Sequence, residues 1–203
     1  SISIAWNVRC GRDAAVTEAD IMAGRYDGAE VRAFVVNWTG PEDQVELFRG
    51  NLGEIQRAGG AFRAELRGLS ERLNKVQGNA YLSRCSAVLG DARCRFSTLQ
   101  PGYFADRATQ SVVDGRILEF DSLAGFDDRW FDGGRLEVTT GAAQGLVGMV
   151  KSDRQAGTVR RIELWQSIMA PVAAGDVVRL IAGCDKSPAT CRAKFNNFLN
   201  FRG

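Results

Sequence analysis

Histidine is absent from the 203 residues, and that single absence removes much of catalytic chemistry. Without an imidazole there is no Ser/His or Cys/His nucleophile pair. Any metal site must then be built from sulfur alone or from sulfur and carboxylate. Neither a Walker phosphate loop nor a Gly-x-Gly-x-x-Gly fingerprint occurs. No convergent acid–base pair stands out, so the chain is read as not an enzyme. Apolar runs are short as well, none approaching the ~20 residues of a membrane-spanning helix. Charge of one sign is also missing. The formal net charge is only +2 with acids and arginines interspersed, so nothing implies a nucleic-acid or membrane surface. Lysine is scarce: arginine supplies 22 of 26 basic residues, a bias assigned to a GC-rich genome rather than to recognition.

What is present is the composition of an ordinary globular protein, 45% hydrophobic and 25% charged. A chain of this length buries roughly 70% of its unfolded surface and needs no metal merely to fold. The sequence starts at Ser1 inside an alternating segment, Ile2, Ile4, Trp6 and Val8, read as a strand, and is expected to continue upstream. Asp13 to Ala23 is predicted helical, with Thr17 and Asp20 as a capping-box-like start and Gly24 as the stop. Ala29 to Trp38 reads as a strand closed by a turn over Thr39 to Asp43. Val45 to Arg57 and Ala61 to Arg67 flank Gly59-Gly60 as a hairpin, with a bulge signalled by Gly50 and Gly53. Leu69 to Val76 reads as a short helix, and a domain boundary is placed after Gly78.

From Asn79 the pattern changes. The segment up to Arg107 has no clear period. Strands are predicted over Thr109–Val113, Arg116–Phe120, Gly134–Thr140, Leu146–Asp153, Thr158–Trp165 and Asp176–Ala182, with short Gly-rich connectors. That spacing suits a small antiparallel barrel or sandwich.

Cysteine is the residue that organises this second part. Cys85 and Cys94 lie on one short loop and Cys184 and Cys191 on another, ninety residues further on. Ser187 reads as an N-cap, with Pro188 at the first helical position and Cys191 in the first turn. The helix dipole together with Lys186, Arg192 and Lys194 should favour a thiolate there. A tetrahedral four-sulfur site suits zinc or an iron–sulfur cluster. Two disulfides suit the spacing about as well, and zinc knuckles usually place two to four residues between paired cysteines. The residues themselves leave these readings open. With no recognisable signal peptide, the default is reduced thiols in the cytosol. Cys10 is the odd thiol and is read as an unpaired core residue.

Other signals weigh less. Asp127, Asp128 and Asp132 beside Trp130 could form a carboxylate cluster, but flanking glycines favour an exposed acidic loop. Trp38, Phe48, Trp130, Phe131 and Trp165 are read as core aromatics rather than a stacking platform. Phe195, Phe198 and Phe201 are read as covering the sulfur site.

Three blocks then carry a resemblance. Thr17-Glu-Ala-Asp-Ile-Met-Ala-Gly-Arg-Tyr-Asp-Gly-Ala-Glu-Val31, Cys85-Ser-Ala-Val-Leu-Gly-Asp-Ala-Arg-Cys94 and Cys184 through Gly203 resemble the phage tail-tip baseplate hub proteins of alphaproteobacterial prophages and gene transfer agents. The two cysteine spacings are similar to those in the C-terminal half of the phage lambda tail-tip protein. The resemblance implies a mainly β protein: a hub-type β-barrel domain over residues 1–78, then a small antiparallel β-barrel domain over 79–203 with a four-cysteine site and a short C-terminal helix. It implies Cys85, Cys94, Cys184 and Cys191 as ligands of an iron–sulfur cluster of the 4Fe-4S type. It also implies a homotrimer at the virion tail tip, assembled in the bacterial cytoplasm, that closes the tail tube and joins the distal tail protein to a central tip or fibre protein of the megatron type. A small electron-transfer protein and a zinc-stapled binding module are the readings from other classes.

Overall fold

The computed structural model describes residues 17–58, 61–68, 70, 78 and 82–203. The predicted strand at Ile2–Val8, the spare thiol Cys10, the Gly59-Gly60 turn and the helix at Leu69–Val76 all lie outside the described residues. The chain divides into two compact units, Ser1–Gly78 and Asn79–Gly203.

The first unit opens with a short helix, α1 (Glu18–Met22). The Thr17 hydroxyl accepts the Asp20 N–H at 3.1 Å, so the cap sits where the Thr–Asp pair indicated. At the other end Gly24 adopts φ +70°. There its N–H reaches the Ile21 carbonyl and that of Arg25 the Asp20 carbonyl. This is the paired closure that a left-handed glycine allows. Three antiparallel strands follow, β1 (Glu30–Asn37), β2 (Gly40–Ala58) and β3 (Ala61–Gly68).

The turn is tighter than predicted. Only Trp38 and Thr39 lie between β1 and β2, and Gly40 to Asp43 already belong to the strand. Pro41 is tolerated because the register slips between Val36 and Asn37, leaving it in an irregular stretch. A second slip between Leu52 and Ile55 is the bulge signalled by Gly53. At Gly50 a Cβ would lie 2.2 Å from the Arg67 carbonyl oxygen, so only glycine fits. Among the described residues these three strands form an open sheet and not the hub-type barrel that was expected.

The second unit holds seven antiparallel strands: β4 (Phe104–Ala108), β5 (Ser111–Val113), β6 (Ile117–Asp121), β7 (Arg135–Val138), β8 (Val147–Ala156), β9 (Val159–Leu164) and β10 (Val177–Ile181). Their order is β4-β10-β7-β8-β9-β6-β5. The ladder does not close, so the expected small barrel is an open sheet among the described residues. Its two edges are nonetheless covalent neighbours. Only Thr109 and Gln110 separate β4 from β5, a reach of about 7 Å. One bent stretch, 104–113, therefore borders both ends of a strongly coiled sheet. Thr109 holds the bend: buried, it donates its hydroxyl to the Ala173 carbonyl at 2.7 Å and accepts the Gly175 N–H at its own carbonyl.

The core lies on the inner face of this sheet. Leu118, Phe120, Leu136, Val138, Val150, Ile162, Leu164, Val178 and Leu180 are fully or almost fully buried, each from an inward-facing position of its strand. A bulge at Lys151 breaks the alternation in β8, because Val150 faces Leu164 while Ser152 faces Glu163. The shift turns Asp153 inward. There it meets Arg160 of β9, and both side chains are 0% exposed. Arg160 Nε and Nη2 grip the two Asp153 oxygens at 2.7 and 2.6 Å. Its remaining N–H groups reach the Phe126 and Asp127 carbonyls, and Asp153 Oδ2 also accepts the Phe131 N–H at 2.9 Å. A buried pair persists only when its hydrogen bonds are satisfied in this way.

Candidate metal centre

Both cysteine loops grow from one end of the seven-stranded unit. β10 runs into Cys184 through Gly183, where a Cβ would lie 1.7 Å from the Asp132 carbonyl oxygen. That close approach fixes where the second loop begins. α2 (Pro188–Ala193) then carries Cys191. Ser187 caps it by accepting the Thr190 N–H at 3.1 Å, and Pro188 takes the first position. The helix stops at Ala193.

The first loop is shaped by Asp91. Its carboxylate accepts the N–H groups of Cys94 at 2.6 Å, Val88 at 2.9 Å and Arg93 at 2.9 Å. Those bonds, with Cys94 the largest cause, hold its pKa below the ordinary value. The loops are stitched directly to one another: the Cys85 N–H donates to the Lys186 carbonyl at 2.8 Å, and Lys186 Nζ to the Ala87 carbonyl at 2.5 Å.

Cys85, Cys94, Cys184 and Cys191 all line one cavity, together with Ala87, Leu89, Lys186, Phe195 and Asn197. The structure thus brings together the four thiols of the two loops. All four are free and half-buried, and neither pair forms a disulfide. Burial pushes the Cys184 thiol up, partly offset by Lys186. Cys191 is also raised, first by burial and then by the other three sulfurs. This reverses the sequence expectation for Cys191: a two-turn helix end does not outweigh desolvation and three neighbouring sulfurs. Cys184 and Cys191 so placed are poor thiolates unless a cation joins them.

The donor set therefore fits a thiolate-bound metal group. Among the described residues no group of three or more Cys, Asp or Glu side chains converges closely enough to hold one metal ion. A zinc at about 2.3 Å from each sulfur would need them roughly 3.8 Å apart.

Several contacts that support the site carried no sequence signal. Lys194 Nζ donates to the Trp130 carbonyl at 2.6 Å and the Gly183 carbonyl at 2.9 Å, and lies 4.1 Å from the centre of the Trp130 ring. Burial lowers its pKa to about 8. Tyr103 donates to the Lys194 carbonyl at 2.8 Å. A small second core of Phe96, Ala182 and Phe195 lies beneath the cavity. Phe195 lines the cavity with the sulfurs. Phe198 and Phe201 instead stack on each other at 5.4 Å, with Arg192 over Phe198.

The acidic loop is structural. Asp132 accepts the Asp153 N–H at 2.6 Å, and Asp128 accepts that of Gln155 at 2.8 Å. Of the predicted core aromatics, Phe131 is buried and Phe48 and Trp130 are half-buried, whereas Trp38 is 91% exposed and Trp165 63%.

No curated protein matches the chain. Residues 5–97 match the family model described as baseplate hub protein, N-terminal attachment domain. Residues 129–203 match that described as phage conserved hypothetical protein BR0599. A solved chain from the virion of a native gene transfer agent particle is similar at 55% identity and a TM-score of 0.87, over 93% of this chain and 65% of that one. The chain thus spans 65% of the length of that relative. Through the two family models and this likeness the chain is similar to phage and gene transfer agent baseplate hub proteins.

Proposed function

We propose that the chain is a structural, non-enzymatic part of a phage-like tail tip, whose second unit is locked by an iron–sulfur cluster on Cys85, Cys94, Cys184 and Cys191. The observation that carries the cluster is the single cavity lined by all four thiols. Bound there, the group supplies four metal–thiolate bonds that join two loops ninety residues apart; the chain's own residues orient the sulfurs and shield them from water. The hub role is supported by the baseplate hub match and the virion neighbour. In that role it closes the tail tube and joins the distal tail protein to a central tip or fibre protein. Anaerobic purification followed by iron analysis and a visible spectrum tests the cluster. Iron together with a broad visible absorbance is the expected result. Zinc without colour, or disulfides within the two pairs, overturns it.

We also propose that copies associate as a homotrimer through the first unit. The β1–β2 hairpin leaves Phe34, Val35, Val36, Trp38, Val45 and Leu47 exposed. Val35 pairs across the ladder with Val45, while Phe34 pairs with Glu46, so both faces carry apolar groups. Apolar surface of this extent marks a contact. Trp38→Ser together with Val45→Asp should abolish three-fold association in light-scattering measurements while leaving the far-ultraviolet spectrum intact. A wild-type chain that stays monomeric in the assembled particle rules the trimer out.

A further inference from the structure

Residues 197–202 cross back over the first cysteine loop. Asn197 Nδ2 donates to the Cys94 carbonyl at 2.7 Å and lies 3.5 Å from Cys94 Sγ. Its orientation is determined by its neighbours: the side-chain oxygen accepts from Asn200 Nδ2 at 2.8 Å, which leaves the nitrogen to face Cys94. Its main-chain N–H is held by the Cys191 carbonyl at 3.0 Å. The main-chain N–H of Arg202 points at Cys85 Sγ at 3.4 Å. The Arg202 carbonyl is clasped by the N–H and hydroxyl of Ser86 at 2.8 and 3.0 Å. Two N–H dipoles from one short segment thus end on the two sulfurs of the other loop.

We infer that Asn197 and the main-chain N–H of Arg202 are positioning groups for the four-sulfur centre, which hold Cys94 and Cys85 in place and raise the reduction potential of the bound group. The inference rests on the iron–sulfur reading. Its physical basis is that a donor aimed at a ligand sulfur stabilises negative charge there. The reduced form carries one more negative charge than the oxidised form, so it gains more. Half-burial strengthens the effect, because little water competes for the sulfurs.

The test uses the full chain purified anaerobically. Asn197→Leu keeps the branched side-chain shape and removes the donor without adding a charge. Arg202→Pro removes the other donor and leaves the Arg202-position carbonyl for Ser86. The preceding residue, Phe201, already has φ −64° and ψ 134°, which a following proline accepts. Leu199→Ala, at a side chain 96% exposed, serves as the control. Each donor variant should shift the midpoint potential to more negative values in a spectroscopically monitored redox titration. Each should also weaken iron retention against a chelator about 10–100-fold, with the control unchanged. A residue that merely staples the loop would alter retention without moving the potential of the loaded fraction. Wild-type protein that holds no iron sinks the cluster reading itself. Wild-type protein that holds iron, with both donor variants at the wild-type potential, overturns this inference alone.

Discussion

Replacing any one of Cys85, Cys94, Cys184 or Cys191 by serine should strip most of the bound iron and open residues 82–99 and 184–203 to protease, while the seven-stranded sheet stays folded. The separation follows from the two cores. The sheet buries its own cluster, from Ala105 through Leu180, and depends on no sulfur. The cysteine loops rest on a small core of Phe96, Ala182 and Phe195 with Leu89, Tyr103 and Trp130 packed against it, little apolar surface to order some forty residues. Metal binding at structural zinc sites contributes about 10–16 kcal/mol, against a typical domain stability of about 5–15 kcal/mol. A thiolate centre of similar strength decides whether these loops are ordered. Limited proteolysis with mass spectrometry, read beside iron content, gives the answer. Cys10→Ser should change neither. Four serine variants with a full complement of iron would falsify the assignment of these ligands.

Arg160→Met should cost about 3–5 kcal/mol, as removal of one member of a buried ion pair does. The substitution strands Asp153 without its cation and leaves the Phe126 and Asp127 carbonyls without their donors. The damage should extend to the sulfur site. The 126–132 loop carries Trp130, whose carbonyl receives both the Gly183 N–H and Lys194 Nζ, and Gly183 precedes Cys184. Pairing Arg160→Met with Asp153→Leu should recover part of the loss, though Phe131 N–H then lacks its acceptor. Urea unfolding followed by circular dichroism measures both variants. A single-variant loss below about 1 kcal/mol, within the range of exposed pairs, would show that the pair is not the anchor proposed.

The cysteine loops were legible because their punctuation is local. Ser187 and Pro188 act within one helical turn of Cys191, and Thr17 with Asp20 marked α1 for the same reason. β4 was missed because Phe104 to Ala108 has one buried residue, Ala105, and an otherwise exposed run. An edge strand beside a hairpin bend shows no alternation. Closure was misjudged since strand spacing counts strands without saying which edges meet. Asp153 and Arg160 look like surface charges until the bulge at Lys151 rotates one toward the other. Strand alternation marks Trp38 and Trp165 as core aromatics, but Trp38 falls in the two-residue turn and Trp165 just beyond β9, and both are left in water. Asn197 and Arg202 act at sequence separations of 103 and 117, beyond any local pattern.

The bend at Thr109 also orders events in time. β5 finds its partner β6 within ten residues, whereas β4 must wait for β10, some seventy residues later in synthesis. Local hairpins close in microseconds, while contacts between distant segments first pay the entropy of the intervening loop. As the nascent chain emerges, Phe104 to Ala108 therefore remains an unpaired, aggregation-exposed strand until Val177 to Ile181 is made. The cavity for the four sulfurs follows the same schedule. Cys184 comes into place only as β10 docks, so on the proposed iron–sulfur reading metal would load after docking, and a cell short of iron would accumulate chains with a finished sheet and open loops.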